Sequence, residues 1–129
     1  MKMPSPRRPA TLLASVALLL ATALPAPARA QSFSCEMSHT EDQRTVCADR
    51  YLRKLDAVMA RQQVALKRHL KTLRKTNAAR AQHFGKQLLE QERAFLGQRA
   101  ACGGEVACIE KLYEERIMAL LHAWRALLR

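Results

Sequence analysis

The chain has 129 residues, 49% of them hydrophobic but only 5% aromatic, and a formal net charge of +11. That length leaves room for one small domain, and the cationic excess favours anionic partners. Neither a G-x-S-x-G nucleophile turn nor a glycine-rich phosphate loop occurs, and no catalytic constellation stands out.

Residues 1–30 have the pattern of a cleaved signal peptide. Lys2, Arg7 and Arg8 open it, Thr11 to Leu24 is an uncharged apolar run, and Ala28 and Ala30 supply the small residues of a cleavage site. The run is shorter than the roughly 20 residues of a comfortable membrane span, which disfavours an uncleaved anchor. Cleavage makes Gln31 the first mature residue and removes four cations (Lys2, Arg7, Arg8, Arg29) and no acid, leaving +7 on residues 31–129. The expected location is periplasmic or secreted, with no transmembrane span after cleavage.

Residues 31–129 contain no proline, and their apolar residues recur in steps of three and four. Three helices are predicted, near 41–75, 78–101 and 105–128. The first carries Leu52, Leu55, Met59, Gln62, Leu66, Leu70 and Leu73. It opens at Thr40-x-x-Gln43, a capping-box spacing, with Glu41 and Asp42 in its first turn. The second carries Phe84, Leu88, Gln91 and Phe95, and Asn77 is positioned to cap it. The third runs Val106, Ile109, Tyr113, Ile117, Leu120, Trp124, Leu127. An unbroken helix through 41–101 would bring Asn77 and Arg80 onto the apolar stripe, at a cost without partners. The expected fold is therefore all-α, a single-domain antiparallel three-helix bundle, monomeric or weakly dimeric.

All four cysteines (Cys35, Cys47, Cys102, Cys108) follow the cleavage point, and an even count in a small exported chain points to two disulfides. Their spacing matches no common zinc pattern, and there is no C-x-x-C. Four cysteines allow three pairings. The bundle gathers all four at one end, where the Gly103-Gly104 turn makes Cys102–Cys108 easy to close and Cys35 can fold back on Cys47. These local pairs are favoured.

No acidic residue occurs between Ala57 and Leu89, a stretch that holds Arg61, Lys67, Arg68, Lys71, Arg74, Lys75, Arg80 and Lys86. Arg116, Arg125 and Arg129 follow on the third helix, which runs toward the same end. The acids concentrate at the cysteine end, so the bundle is expected to be a polarised rod with a basic tip as its candidate binding surface. Helix-end charge preferences account for part of this pattern but not for eight uncompensated cations.

No catalytic, cofactor-binding or metal site is implied. His39, His69, His83 and His122 are scattered; a Cys35–His39 nucleophile is displaced by disulfide pairing of Cys35; Glu114 and Glu115 diverge on a helix. Phe84, Phe95, Tyr113 and Trp124 fall on apolar stripes and are assigned to the core.

The cysteine frame and its neighbours carry a resemblance. Phe33-Ser34-Cys35, Thr40-Glu41, Val46-Cys47 and Leu52-x-x-Leu55-Asp56, followed by Gln91, Phe95, Arg99, Cys102, Cys108-Ile109 and Tyr113-Glu114-Glu115-Arg116-Ile117-x-x-Leu120, resemble the lysozyme inhibitor LprI-like family over essentially all of residues 31–129. Phe95 stands where the family usually has Trp, Ala100 where an acid is common, and the Arg99-to-Cys102 spacing is one residue short. No inhibitory residues carry over by position. The resemblance implies an exported helical protein that binds and blocks lysozyme. Common animal lysozymes are themselves basic, so a +7 chain is repelled at long range unless its acidic end faces the enzyme or a tip cation enters the cleft between the two catalytic carboxylates. The competing expectations are docking on anionic envelope lipid or glycan through the tip, and self-association as a structural subunit. Nucleic acid is the weakest partner, because no aromatics interleave with the basic run.

Overall fold

The computed structural model describes residues 32–129; residues 1–30, expected from sequence to be a signal peptide, and Gln31 lie outside the described residues. The described chain is helical, with no strand among its residues. A 3-10 turn at Cys35–Met37 leads into α1 (Glu41–Ala48), α2 (Arg50–Leu73), α3 (Ala78–Ala101) and α4 (Val106–Leu127).

Four helices replace the expected three. The predicted first helix is interrupted at Asp49, whose backbone is extended (φ −92°, ψ 124°) and whose carboxylate accepts from the N–H groups of Tyr51 and Leu52 at 2.7 and 2.9 Å. An N-cap of this kind satisfies donors that an uninterrupted helix would not leave open. The interruption frees α1 to fold across the end of the bundle and bury Asp42 and Val46. At the start of α1, Gln43 Oε1 accepts from the backbone N–H groups of His39 and Thr40, forming the expected capping box. The break between α2 and α3 lies where Asn77 predicts it, with Asn77 Oδ1 accepting from Arg80 N–H at 3.0 Å.

α3 runs antiparallel to its neighbours: Arg80 at its start reaches Ala126 near the end of α4, and Arg99 near its end reaches Tyr113 near the start of α4. α2 and α4 run parallel, linked by Asp56–Tyr113 at one end and His69–Trp124 at the other. The core is built from Val46, Leu52, Met59, Leu66, Leu70, Leu88, Phe95, Ile109, Tyr113, Leu120 and Leu127. Four stripe positions differ from expectation, Gln91 of α3 among them, since it is exposed. Gln63, not Gln62, is the buried glutamine of α2, Asp56 replaces Leu55 as a fully buried residue, and Val106 is exposed.

Both favoured disulfides are present. Cys35–Cys47 fastens the 3-10 turn to α1, and Cys102–Cys108 closes the turn between α3 and α4, with Cα separations of 5.6 and 5.7 Å. Gly103 adopts φ +56°, a left-handed conformation that other residues resist, and a Cβ on Gly104 would stand 2.8 Å from Glu41 Oε1. The two bridges and α1 therefore meet at one end. Two disulfides fit an oxidising compartment, and no helix among the described residues is long and apolar enough to cross a membrane.

Candidate binding surface

Two polar features stand apart from the apolar core. The first is internal. Arg99 of α3 donates to Asp42 of α1 at 2.7 Å and to the Tyr113 hydroxyl of α4 at 3.0 Å, and that hydroxyl donates to Asp56 of α2 at 2.9 Å. Ser32 completes the chain, its backbone N–H and hydroxyl both donating to Asp56. Every α-helix contributes one member. The Arg99 guanidinium lies 4.9 Å from the Phe33 ring centroid, and Phe95 meets Tyr113 edge-on at 5.2 Å.

Burial works against the Asp42 carboxylate, but the Thr40 side chain, Arg99 and the Gln43 N–H together hold its pKa below the ordinary value of 3.8. Burial, reinforced by the Asp56 charge, pushes the Tyr113 phenol well above its ordinary value. The network is nearly closed to solvent: Asp42, Asp56, Arg99 and Tyr113 are each no more than 3% exposed. Such a network fixes the relative positions of the helices and of the N-terminal segment; it offers no reacting atom to a substrate. Among the described residues no group of three His, Cys, Asp or Glu could hold a metal ion.

The second feature is the cationic end. Arg61, Lys67, Arg68, Lys71, Arg74, Lys75 and Lys86 are all exposed on α2, α3 and the turn between them. Lys67 pairs with Glu92 at 3.3 Å; none of the other six makes a salt bridge to a described residue. Arg80 does not belong with them. Its guanidinium is half-buried, donates to the terminal carbonyls of α4 at Ala126 and Leu127, and lies over the Phe84 ring. It is a clasp between α3 and α4, satisfying acceptors that a helix C-terminus leaves open.

Arg116 also departs from expectation. It is buried, donates to Gln91 at 3.0 Å, and leaves Nε and Nη2 without a hydrogen-bond partner among the described residues. Burial lowers its pKa, opposed by the charge of Glu92. Glu92 therefore stands between one exposed cation and one buried cation.

Two open grooves flank α3: small residues of α3 (Ala81, Gly85) line the one against α2, and small residues of α4 (Ala119, Ala123, Ala126) line the one against α4. The α2–α3 groove, about 450 Å³, is lined by Leu70, Gly85, Leu88 and Leu89 with Lys67, Lys71 and Arg74 at its edge. The α3–α4 groove, about 410 Å³, shares Leu70 and Leu88 but has no lysine or arginine in its lining. No protein-family model, curated protein or solved structure matches the chain.

Proposed function

We propose that residues 31–129 form an exported, non-catalytic binding protein, periplasmic or secreted, that docks on anionic envelope lipid or glycan through the cationic end of α2 and α3. One observation carries this reading: five exposed cations (Arg68, Lys71, Arg74, Lys75 and Lys86) lie toward the α2–α3 turn, with Arg61 a sixth midway along α2, and none makes a salt bridge to a described acid. A fixed, one-sided cationic surface concentrates polyanions by long-range attraction, and near an anionic bilayer each such residue contributes on the order of 1 kcal/mol. Co-sedimentation of the oxidised protein with phosphatidylglycerol vesicles tests it. Binding is expected at low salt and should fall steeply as ionic strength rises. Absent or salt-insensitive binding overturns the reading.

A second reading, lysozyme inhibition, is supported by the resemblance of the cysteine frame to LprI-like inhibitors and by the shape of the tip. Lys71, Arg74 and Lys75 project at a narrow helix–helix turn, a form suited to entering a cleft that holds two carboxylates. A lysozyme turbidity assay separates the two: full lytic activity at micromolar protein removes the inhibitor reading and leaves vesicle binding untouched.

A further inference from the structure

We infer that the α2–α3 groove is a binding site for the acyl chain of an anionic amphiphile, with the chain on the groove floor and the headgroup on Lys71 and Arg74. The inference rests on the proposed docking of the cationic end on anionic envelope material and adds a site with its own ligand chemistry.

The floor is hydrocarbon, formed by Leu70 and Leu88, with Leu89 exposed beside them. Gly85 keeps it open: a Cβ at this position meets nothing within 4 Å. The volume, about 450 Å³, lies within the roughly 300–1,000 Å³ of small-ligand sites. The apolar track continues beyond the groove. Leu96 lies seven residues from Leu89 on the same face of α3, and the register set by Lys67–Glu92 places Val64 of α2 across from it; all three are 46–47% exposed.

The headgroup chemistry follows from the rim. Glu92 is the one acid in the lining and is committed to Lys67, so Lys71 and Arg74 face the groove uncompensated. Two cations beside a hydrocarbon floor match a molecule with a negative head and a carbon tail. The α3–α4 groove serves as an internal comparison: it is similar in size and also apolar, but the absence of lysine and arginine from its lining leaves a headgroup without a counter-charge.

The test is a titration of the oxidised protein with octyl, decyl and dodecyl phosphate and with laurate, each below its micelle concentration, followed by methyl NMR shifts. Shifts at Leu70, Leu88 and Leu89 are expected, and affinity should rise with chain length. Fully burying one methylene strengthens binding by about fourfold, so four more methylenes, even half-buried in an open groove, should make dodecyl phosphate bind at least about tenfold tighter than octyl phosphate. Dodecyltrimethylammonium should not bind. Gly85→Leu fills the floor and replaces a poor helix former with a good one; it should weaken dodecyl phosphate at least about tenfold while keeping or raising Tm. Affinity independent of chain length, shifts centred on Ala123 and Leu127 of the α3–α4 groove instead, or unchanged binding by Gly85→Leu overturns the groove assignment. Salt-sensitive vesicle binding with no alkyl phosphate or laurate binding likewise overturns the groove while leaving surface docking intact; loss of both overturns the two together.

Discussion

Replacing Arg99 by Met should destabilise the bundle more than any other single polar substitution. Arg99 and Asp42 form a 2.7 Å ion pair with both side chains 4% exposed. Removing the guanidinium strands a buried carboxylate, takes a donor from Tyr113 and removes the cation beneath Phe33. Breaking a buried pair from one side costs about 3–5 kcal/mol, against a total of roughly 5–15 kcal/mol for a domain. At about 4–8 °C per kcal/mol for a chain of this size, Tm should fall by roughly 12–40 °C. Urea unfolding of Arg99→Met, Asp42→Asn and the double variant measures the coupling directly. The double variant should lose much less than the two singles together, because no uncompensated charge is left inside. A loss below about 1 kcal/mol for Arg99→Met, typical of an exposed pair, or strictly additive losses, would refute the view of this network as the lock between helices.

Other outcomes follow from the same structure. Asp42 is held below its unfolded pKa, so its contribution is present above about pH 4 and is lost as pH falls through the folded value; Asp42→Asn should flatten the acid limb of a urea-midpoint profile. Gly85→Ala should stabilise by up to about 1 kcal/mol, since the site is mid-helix and open, whereas Gly103→Ala should lose about 1 kcal/mol at φ +56°; thermal melts of the pair should move in opposite directions. Removing the Cys35–Cys47 bridge by a double Ser change should cost about 3 kcal/mol, read as a lower urea midpoint. Glu92→Gln should cost more than loss of the exposed Lys67 pair alone, because the buried Arg116 loses its nearby counter-charge; a Lys67→Gln variant provides the baseline.

The helical content, the α2–α3 break and both disulfides were legible in the sequence because each has a local cause: apolar spacing, a capping Asn77, and short loops between paired cysteines. The break at Asp49 had a signal that spacing arguments passed over. Asp42 and Val46 are four apart, but the next buried position is Leu52, six further on, a step that no single helix face accommodates. Asp49 before an Arg-Tyr-Leu run is also an N-cap candidate. The internal network was less accessible. Tyr113 and Phe95 read correctly as core, but Asp42 looked like a helix-dipole acid and Arg99 had no sequence neighbour to suggest burial. Their pairing spans 57 positions, and only the tertiary packing brings them together. The same reason explains Arg80 and Arg116, counted with the basic end by their sign but used by the fold as a helix clasp and a buried cation.

The central claim is that a partner meets the cationic end of the rod and not the cysteine end. Vesicle binding by two charge-reversal variants tests this most directly: Lys71→Glu/Arg74→Glu/Lys75→Glu at the tip, and Glu110→Lys/Glu114→Lys/Glu115→Lys near the cysteines. These place opposite changes at opposite ends of one fold. The tip reversal should abolish binding to phosphatidylglycerol vesicles, and the other should leave binding intact or strengthen it. Retained binding by the tip variant, or equal loss in both, would contradict the account.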